Sequence, residues 1–580
     1  MRNDPFNIAQ YLPAMAKTAP ERAAIVCTHA PDELGRTSLT FAELDGESDR
    51  LAWGLRETGV QPGSLTLLML RPGLNFLSLT FALFKLGAVP VLIDPGMGWT
   101  NVQNCVRQCR PENFIGIPLA HAVRAFTATD AFDSVRRHVT VGRRWFWGGV
   151  TLRAVRRMGN MGSDKPFPLA ATTERSPAAV LFTSGGTGTP KGVLYEHGMF
   201  GAQVLAIRAQ YGIQPGERDL PAFPLFGLFA PALGTTCVVP ELNPSRPAQC
   251  DPAKIAKALQ THEITYTFGS PAIWRRVGPY CIEKGITFPN VRRILMAGAP
   301  VRAEVLEPFT KILPNGDTYI PYGATEALPI ATIRGSEVLS ETWALTRAGK
   351  GYCVGRPLPD VTVRVIACAP AVVESTQWDS AFVLPPGAIG EIVVKGPVVT
   401  CEYYNMPEQT RAAKIYENLP LRPPSLQWKG ENDVWHRMGD MGYFDESGRL
   451  WLCGRKAHRV IISREKILFS VCVEAIFEAF LDDILKCGIR TALAGIGEPG
   501  RQTGVIVVEA PKHLSRRVFQ RLVPNVEQWS ATQPLARDVA GILLYRKPFP
   551  VDVRHNAKID REKLGRWAAK LKTLDWTHAR

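Results

Sequence analysis

Several patterns that define common protein classes are missing from this 580-residue sequence. Its twelve cysteines form no Cys-x-x-Cys pair, which argues against a disulfide framework and favours reduced thiols in a cytoplasm. The first fifteen residues lack the basic-then-apolar layout of a secretory signal. The most apolar long stretch, residues 74–93, contains Lys85 and Pro90, so no membrane span is predicted. Cys105 and Cys109 share a predicted helix face, but no second pair with ligand spacing follows, which favours packing over metal binding.

The sequence also has no zinc-finger spacing and no RNP-type string, although its net charge is +15. Nucleic-acid binding is therefore not predicted, and the positive charge instead suits ATP, acyl carboxylates, an acidic partner or an anionic membrane. Arginines are concentrated in residues 136–157, where they flank Trp145, Phe146 and Trp147. This segment is either an interfacial or partner-docking element or a solvated basic loop with its aromatic cluster in the core. The second interpretation is favoured. Membrane contact is the less favoured alternative and would be peripheral at most.

Apolar segments of strand length alternate with helix-length segments through residues 39–118. Such alternation predicts a parallel β-sheet covered by helices, and thus the α/β class. The pattern loosens over residues 119–177. Short strand-like segments separated by turns predict a small β-subdomain over residues 354–456. Residues 457–580 predict a smaller unit, with a helix at 474–485, strands near 491–496 and 503–509, and a terminal helix from about 560.

A glycine-rich loop is the most informative segment of the sequence. Residues 178–182 are apolar and predict a buried strand, which small and hydroxyl-bearing residues follow directly. Glycines let the backbone approach an anion, hydroxyls and amides donate hydrogen bonds to phosphate oxygens, and a lysine adds positive charge. The Walker A and dinucleotide-binding patterns both fail on spacing, which leaves another kind of phosphate loop or a surface loop without ligand. The predicted phosphate-binding residues are Thr183, Ser184, Gly185, Gly186, Thr187, Gly188 and Lys191.

This loop resembles the phosphate loop of adenylate-forming enzymes, a superfamily that includes acyl-CoA synthetases, peptide-synthetase adenylation domains and luciferases. Their motif is nearly T-S-G-T-T-G-x-P-K-G, and residues 183–192 depart from it only at Gly186. Glycine-threonine loops without ligand are common, but this order of residues favours the phosphate loop.

Two further segments resemble the next motifs of that superfamily. Residues 292–301 resemble its adenine-binding strand and turn, and residues 318–330 contain its Y-G-x-T-E motif. The resemblance implies that Thr325 contacts the α-phosphate of ATP and that Glu326 helps to hold Mg²⁺. The other residues that these motifs place at the nucleotide are Gly298, Ala299, Pro300, Tyr322 and Gly323.

Charged residues nearer the C-terminus complete the set of motifs. The resemblance implies that Asp440, in Gly-Asp-Met-Gly, accepts both ribose hydroxyls and that Arg455, in Gly-Arg-Lys, approaches the sugar. Residues 554–564 resemble the motif P-x-x-x-x-G-K-x-x-R, with Lys558 and Arg561 matching its charged half. An ordinary surface lysine near a helix start is the alternative at this position, but the match favours Lys558 as the catalytic lysine.

The five motifs occur in the order of the superfamily and span most of the chain. The resemblance implies a large N-terminal AMP-binding domain, residues 1–454, built from two helix-flanked sheets and a small β-subdomain. A smaller, mobile α+β C-terminal domain, residues 455–580, would carry the catalytic lysine as a lid. The implied reaction is attack of a carboxylate on the α-phosphate of ATP, with Mg²⁺ as cofactor and an acyl-AMP as product. Positioning and charge neutralisation would supply most of the catalysis, through Lys191, Thr325, Glu326 and Lys558.

Two departures from the acyl-CoA synthetase pattern concern the second half-reaction. Ala457 replaces the Asp or Lys of the hinge, and Glu465 stands where a glycine usually admits the pantetheine arm of CoA, although Glu474 is retained. A glutamate there is expected to obstruct the pantetheine tunnel. With these departures the chain is most similar to the β-lactone synthetases of bacterial long-chain olefin biosynthesis. The segments that add to this resemblance are residues 81–98, 114–118 and 553–560.

The preferred function is therefore ATP-dependent closure of a long-chain 2-alkyl-3-hydroxy fatty acid to a β-lactone, through its acyl-AMP. An internal hydroxyl nucleophile has a high effective molarity, which removes the need for CoA. A fatty acyl-CoA or acyl-AMP ligase is the first alternative. The second is a catalytically inactive acyl- or nucleotide-binding scaffold that docks partners through residues 136–157. Other enzymes of the olefin pathway, including a reductase and a lactone decarboxylase, are partners that the resemblance implies.

Two further groups carry open interpretations. His197 follows the phosphate loop and is either the base that takes the hydroxyl proton or a structural histidine. Phe223, Phe226 and Phe229 either line a deep apolar pocket for the acyl chain or belong to the core.

Overall fold

The computed structural model describes residues 5–127, 130–162, 165–183, 190–368, 382–416, 434–510, 514–551 and 559–571. Its first part alternates strands and helices up to residue 162. The strands are β1 (Ala23–Cys27), β2 (Ser38–Thr40), β3 (Leu65–Met69), β4 (Val89–Leu92), β5 (Asn113–Gly116), β6 (Arg137–Thr140) and β7 (Val150–Thr151). The helices are α1 (Tyr11–Thr18), α2 (Phe41–Glu57), α3 (Leu74–Leu86), α4 (Trp99–Cys109), α5 (Pro118–Phe126) and α6 (Leu152–Gly162).

The second part continues the alternation up to residue 350. Its strands are β8 (Pro177–Thr183), β9 (Lys191–Glu196), β10 (Arg218–Pro221), β11 (Thr236–Val239), β12 (Tyr266–Gly269), β13 (Arg293–Met296), β14 (Asp317–Ala324) and β15 (Ala327–Arg334). Its helices are α7 (His197–Tyr211), α8 (Ala230–Leu233), α9 (Pro252–Thr261), α10 (Pro271–Lys284), α11 (Ala303–Leu306), α12 (Phe309–Ile312), α13 (Gly335–Glu337) and α14 (Trp343–Leu345). Two π-helical turns, Val338–Thr342 and Thr346–Lys350, flank α14.

The remaining elements are strand-rich up to residue 468 and mixed beyond it. The strands are β16 (Tyr352–Pro357), β17 (Thr362–Ile366), β18 (Gly390–Lys395), β19 (Lys414–Tyr416), β20 (Val434–Phe444), β21 (Leu450–Arg455), β22 (Val460–Ile461), β23 (Ile467–Leu468), β24 (Thr491–Ile496), β25 (Thr503–Glu509) and β26 (Val539–Tyr545). The helices are α15 (Pro407–Ala413), α16 (Ser470–Leu485), α17 (Arg516–Thr532) and α18 (Arg561–Ala568).

Two helix-flanked sheets form the N-terminal region, as predicted. The first has the strand order β7-β6-β5-β3-β4-β8-β9 and is parallel except for the β8–β9 pair. The second joins β1, β11, β10, β12, β13 and β14 in parallel, with β2 and β15 antiparallel at its ends. Parallel strands are buried on both faces, which explains why segments such as Leu65–Met69 are almost wholly apolar.

The predicted β-subdomain is antiparallel and continues the second sheet. β16 pairs with β15 on one side and with β21 on the other, and β20, β18 and β17 follow. The C-terminal part has a separate three-stranded sheet, β24-β25-β26, together with α16, α17 and α18. The α/β class and a smaller α+β C-terminal unit are therefore confirmed, whereas the boundary between residues 454 and 455 stays a prediction.

Side chains at helix ends fix several boundaries. Thr40 and Glu43 form a reciprocal capping box at the start of α2, in which each side chain accepts a hydrogen bond from the other residue's backbone N–H. Ser270 caps α10, and Asp560 caps α18. These polar groups satisfy N–H donors that a helix start leaves without partners.

The sequence pattern was least informative between residues 119 and 177, where regular elements in fact continue. α5, β6, β7 and α6 occupy this stretch and extend the first sheet by two strands, of which β7 is the edge strand. The expectation that the aromatic cluster there is buried was correct only for Trp147, because Trp145 and Phe146 are exposed. Among the residues that the structure describes, no helix combines the length and the apolar character needed to cross a membrane.

Candidate active site

A cavity of about 1040 Å³ lies between the second sheet, the β-subdomain and the C-terminal unit. Strand ends of β13 and β14, the strands β20 and β21 and the start of α18 all contribute to its wall. The predicted site residues that line it are Lys191, Gly298, Ala299, Pro300, Tyr322, Gly323, Thr325, Glu326, Asp440 and Arg455. The structure thus gathers in one place residues that are up to 264 positions apart in the sequence.

Some predicted residues lie outside the described part of the chain. These are Ser184, Gly185, Gly186, Thr187 and Gly188 of the phosphate loop, and the proposed catalytic lysine, Lys558. Thr183 is described only as the last backbone position of β8. Two segments, residues 184–189 and 552–558, lie outside the described part of the chain. The next residues that line the cavity after these segments are Lys191 and Ile559, respectively. The roles of these loop residues and of Lys558 therefore stay predictions.

The predicted adenine contact lies in the turn after β13. Gly298 has a φ of +95°, in the left-handed region that strongly favours glycine, which explains why a glycine stands at this position. Gly323, at the end of β14, has no room for a side chain, since a Cβ atom there would lie 2.7 Å from the backbone oxygen of Ala327. Both positions expose backbone to the cavity, where a flat base can approach closely.

The predicted ribose contact is a hydrogen-bonded carboxylate. The Tyr322 hydroxyl donates to Asp440 Oδ2 at 2.7 Å, and Arg455 Nε lies 3.2 Å from Asp440 Oδ1. The nearby Asp440 carboxylate raises the pKa of Arg455, and burial raises the pKa of Tyr322 well above its ordinary value. Arg455 also donates to the backbone oxygen of Met438 at 3.1 Å. These contacts hold an oriented carboxylate at the cavity wall, as recognition of two hydroxyls requires.

The predicted phosphate and metal contacts lie at the turn between β14 and β15. The Tyr195 hydroxyl donates to the backbone oxygen of Thr325 at 2.6 Å, and the Tyr403 hydroxyl donates to Glu326 Oε1 at 2.7 Å. Lys191 Nζ lies 4.9 Å from the centre of the Tyr403 ring. The Tyr403 side chain therefore contacts both the Glu326 carboxylate and the Lys191 ammonium group at the edge of the cavity.

The surroundings of Glu326 suit a magnesium ion that is shared with phosphate. Mg²⁺ is usually bound by one or two protein carboxylates together with substrate phosphates and water. The described residues contain no group of three or more His, Cys, Asp or Glu side chains arranged to hold a metal by themselves. A metal at Glu326 would therefore take most of its ligands from the nucleotide and from water.

A buried lysine and a buried histidine near Glu326 were not predicted from the sequence. Lys414 is buried and donates hydrogen bonds to the backbone oxygen and the hydroxyl of Thr400, whose own N–H donates to the backbone oxygen of Glu326 at 2.9 Å. Burial lowers the pKa of Lys414 to about 8. His436, opposite Lys414 on β20, lines the cavity, and burial together with Lys414 and Lys191 lowers its pKa well below the ordinary value. Near pH 7, Lys414 therefore adds positive charge behind Glu326, whereas His436 is neutral.

The other end of the cavity is apolar. Phe223, Phe226 and Phe229 line it, as one of the two sequence interpretations held. Phe226 stacks on Phe268 with ring centres 3.4 Å apart, and Phe229 packs against Phe200 of α7. Such a wall can bury an alkyl chain, with each buried CH₂ group contributing about 0.8 kcal/mol.

One carboxyl group interrupts this apolar wall. Asp219 of β10 lines the cavity with 2% of its surface exposed, and its Oδ1 has no hydrogen-bond partner among the residues that the structure describes. Burial raises the pKa of Asp219 well above its ordinary value. The folded protein therefore holds a proton on Asp219 at pH values where the unfolded chain has released it.

We expect Asp219→Leu to increase the free energy of unfolding by about 1–3 kcal/mol near pH 8, because it removes an unsatisfied buried polar group. The gain should be smaller near pH 4. A raised folded-state pKa destabilises the protein progressively as the pH rises above the unfolded value, where the unfolded aspartate ionises. Urea unfolding at the two pH values measures the difference, with the exposed Asp133→Leu as the matched control. Equal effects of both variants would show that Asp219 has another partner.

His197 is a structural residue. Its Nδ1 accepts a hydrogen bond from the backbone N–H of Ile8 at 3.2 Å, and its ring packs edge-on against Phe84. The side chain is buried outside the cavity lining, and burial lowers the pKa of His197 to about 4. The interpretation of His197 as the base for lactone closure is therefore not supported.

The C-terminal unit reaches the cavity through α18. Arg561 lines the cavity and makes two hydrogen bonds to the Glu474 carboxylate, at 2.9 and 2.7 Å. Ala457 also lines the cavity. Glu465, in contrast, is exposed in the turn between β22 and β23 and is not part of the lining. In this arrangement its side chain does not obstruct the cavity, and the predicted obstruction of a pantetheine tunnel stays a prediction.

Comparisons with known proteins identify relatives along the whole chain. The family of AMP-binding enzymes matches residues 12–404. An olefin β-lactone synthetase of Stenotrophomonas maltophilia is 43% identical, over 98% of this chain and 99% of that protein. An olefin β-lactone synthetase of Xanthomonas campestris pv. campestris is 42% identical, over 97% of each chain. The structure of O-succinylbenzoate CoA synthetase from Bacillus subtilis, in complex with ATP and a magnesium ion, superposes with a TM-score of 0.69 at 19% identity, over 95% of this chain and 99% of that one.

Proposed function

Because this chain belongs to the family of AMP-binding enzymes and is an adenylate-forming ligase, we propose that it is an ATP-dependent β-lactone synthetase of olefin biosynthesis. The observation that carries the proposal is the identity of 43% and 42%, over nearly full length, to two proteins named olefin β-lactone synthetase. The cavity supports it, since polar groups for a nucleotide and an apolar wall for an acyl chain lie in one space. The proposed substrate is a long-chain 2-alkyl-3-hydroxy fatty acid.

The first proposed step forms the acyl adenylate. A carboxylate oxygen of the substrate attacks the α-phosphorus of ATP, the bond to the β,γ-phosphates breaks, and pyrophosphate leaves. Asp440 would hold the ribose hydroxyls, and the turn of Gly298, Ala299 and Pro300 would contact the base. Thr325 would contact the α-phosphate while Lys191 and Lys558 neutralise charge, because two anionic reactants must be brought together. Mg²⁺ held by Glu326 would neutralise further phosphate charge.

The second proposed step closes the ring. The β-hydroxyl oxygen attacks the activated carbonyl carbon, the bond between that carbon and the AMP oxygen breaks, and the hydroxyl proton is released. Acid and ATP thus become β-lactone, AMP and pyrophosphate without any other reactant. Because nucleophile and carbonyl belong to one bound molecule, the step needs only the correct conformation of the substrate. The apolar wall around Phe223, Phe226 and Phe229 would hold the alkyl chains in that conformation.

The test is incubation of the protein with ATP, Mg²⁺ and a synthetic 2-alkyl-3-hydroxy fatty acid, with and without CoA. We expect lactone, AMP and pyrophosphate in equal amounts, unchanged by CoA. The matching acid without the 3-hydroxyl is the control, since it should form the adenylate but no lactone. A thioester that appears only with CoA would instead identify an acyl-CoA ligase. A stable adenylate from the hydroxylated acid would identify an acyl-AMP ligase, and no AMP from any acid would indicate an inactive scaffold.

The proposed enzyme would act beside other enzymes of the same pathway. A strained four-membered lactone is reactive toward water, so a decarboxylase that consumes it would gain from proximity. Supply of a β-hydroxy acid requires a reductase that acts on the corresponding ketone. We therefore propose that the protein interacts with these enzymes of the same pathway. Co-purification from the producing cell would test this interaction.

A further inference from the structure

An exposed apolar patch lies at the edge of the first sheet, away from the active site. Four large side chains form this aromatic patch, with 59–74% of their surfaces exposed: Leu119, Phe126, Trp145 and Phe146. Leu119 and Phe126 lie on α5, seven positions apart and thus on one helix face. Trp145 and Phe146 lie in the loop between β6 and β7.

The patch is separated from the active site by the width of the sheet. β6 lies five strands away from β9, which carries Lys191, so about 24 Å separate these strands at the usual spacing. None of the four patch residues lines the active-site cavity. The exposed side chains therefore need an explanation other than binding of ATP or of the acyl chain in that cavity.

Three side chains of the aromatic patch, Phe126, Trp145 and Phe146, pack on one another or on a buried layer beneath them. Phe126 and Phe146 pack edge-on at 5.5 Å, and Trp145 stacks on Trp147 at 5.7 Å. Trp147 is buried, stacks on His121 at 5.5 Å, and donates from its ring N–H to the Thr140 hydroxyl at 3.0 Å. The exposure of these apolar side chains is therefore set by packing contacts of the folded protein and not by local unfolding of the loop. Contiguous exposed apolar surface of this kind marks an interaction site.

The segment that carries the loop is uniformly basic. Residues 136–157 contain seven arginines and no Asp or Glu. Arg156 points inward to Glu47 at 2.6 Å and to Glu33 at 2.8 Å. The exposed arginines are Arg136, Arg143, Arg144, Arg153 and Arg157. Arg143 and Arg144 stand directly beside Trp145, so positive charge borders the apolar side chains.

We infer that the aromatic patch binds the surface of an anionic lipid bilayer. Tryptophan and phenylalanine partition into the interface between lipid headgroups and acyl chains, and each nearby arginine is attracted by acidic headgroups. The patch projects from a loop and a helix end, which suits shallow insertion into a bilayer better than docking into a partner's pocket. The net charge of +15 acts in the same direction. Such contact would place the enzyme where long-chain acids partition.

Co-sedimentation with vesicles tests the inference on the full-length protein. We expect binding to mixed phosphatidylglycerol and phosphatidylcholine vesicles, weaker binding as salt is raised, and little binding to phosphatidylcholine alone. The double variant Trp145→Ser, Phe146→Ser should lower the partition coefficient by about 10–100-fold. Arg143→Glu should lower it by a smaller factor and reduce its salt dependence.

Matched controls separate lipid contact from general effects. Leu205→Ser alters another exposed apolar side chain, which is 59% exposed on α7, and Arg521→Glu alters an exposed arginine on α17. Both should leave vesicle binding unchanged, and unchanged adenylate formation in every variant would show that the fold is intact. Binding of the double variant at the level of the unaltered protein would overturn the inference. So would absence of vesicle binding by the unaltered protein, including the case in which the patch binds another protein.

Discussion

Replacing Lys558 by alanine is expected to lower the rate of adenylate formation by about 10²–10³-fold, as removal of one oriented donor to a developing charge does. The attacking carboxylate and the α-phosphate are both anionic, so a cation between them stabilises the transition state more than the separate reactants. ATP binding should change little, because the predicted base and ribose contacts lie on the turn after β13 and on β20 and β21. Pyrophosphate release and nucleotide affinity, measured on the same preparation, separate the two effects.

The control for this variant is Lys547→Ala, which removes an exposed lysine eleven positions earlier in the same C-terminal unit. It should leave both pyrophosphate release and ATP affinity unchanged. Lys558→Arg tests whether charge alone suffices, and we expect partial recovery because the guanidinium keeps the charge but not the geometry. Full pyrophosphate release by Lys558→Ala would remove this residue from the proposed machinery.

The sequence predicted the architecture well wherever the pattern was strongly periodic. β24 and β25 have the predicted bounds of 491–496 and 503–509, because both are short, mostly apolar segments between clear turns. α17 and β26 were missed. α17 is rich in arginine and contains Pro524, and only a narrow stripe of it, including Phe519 and Val523, packs into the core. Its helical structure depends on tertiary packing more than on local pattern.

The loosened pattern between residues 119 and 177 has a similar cause. β7 is a two-residue edge strand, and β6 beside it has two of its four residues only partly buried, so neither has the continuous apolar run of central strands. α6 buries Leu152 and Val155. Three of its other residues are arginines, which interrupt the apolar pattern of the helix. Regular structure here follows from extension of the sheet, which local sequence does not reveal.

Some residues of the candidate active site were predicted from sequence motifs, whereas residues that only support them were not. Motif residues such as Thr325, Glu326 and Asp440 were predicted because their order along the chain is characteristic, and all three reach the cavity. Tyr403, which donates to Glu326 from 77 positions away, belongs to no motif. Lys414 gave no signal either, because one lysine in a short strand is usually exposed. Such supporting residues become visible only when the strands are assembled.

The predicted role of Glu465 stays a prediction. A glutamate in place of glycine suggested a blocked tunnel, yet the side chain is exposed in a turn between β22 and β23. The preference for lactone closure over a thioester therefore depends on the two close relatives and on the proposed product analysis. The structure supports the nucleotide half of the reaction more directly than the fate of the acyl group.

Asp440→Ala is expected to lower kcat/KM for ATP by about 10²–10⁴-fold, since each hydrogen bond to a charged group contributes about 1.5–3 kcal/mol and the prediction involves two ribose hydroxyls. Most of the change should be in KM. The ribose does not change during adenylation, so its contacts stabilise the bound substrate and the transition state about equally. Steady-state kinetics with varied ATP measures the division between KM and kcat.

Deoxynucleotides turn this prediction into a specific test of ribose recognition. Loss of one hydroxyl, in 2′-deoxy-ATP or 3′-deoxy-ATP, should weaken the unaltered protein by about tenfold or more, whereas Asp440→Ala should barely distinguish these nucleotides from ATP. Tyr322→Phe removes the hydroxyl that holds Asp440 at 2.7 Å and should give a smaller loss with discrimination retained.

Asp360→Ala, at an exposed aspartate between β16 and β17, is the matched control for charge. The variant Asp440→Ala also leaves Arg455 without its ion-pair partner and Tyr322 without its acceptor, so its thermal midpoint should fall. A loss of activity that is equal for ATP and both deoxynucleotides, together with a lowered midpoint, would mean that Asp440 only supports the fold of β20 and β21. Discrimination that disappears with the carboxylate would instead place Asp440 at the ribose, since only a direct contact makes the effects of side chain and hydroxyl non-additive.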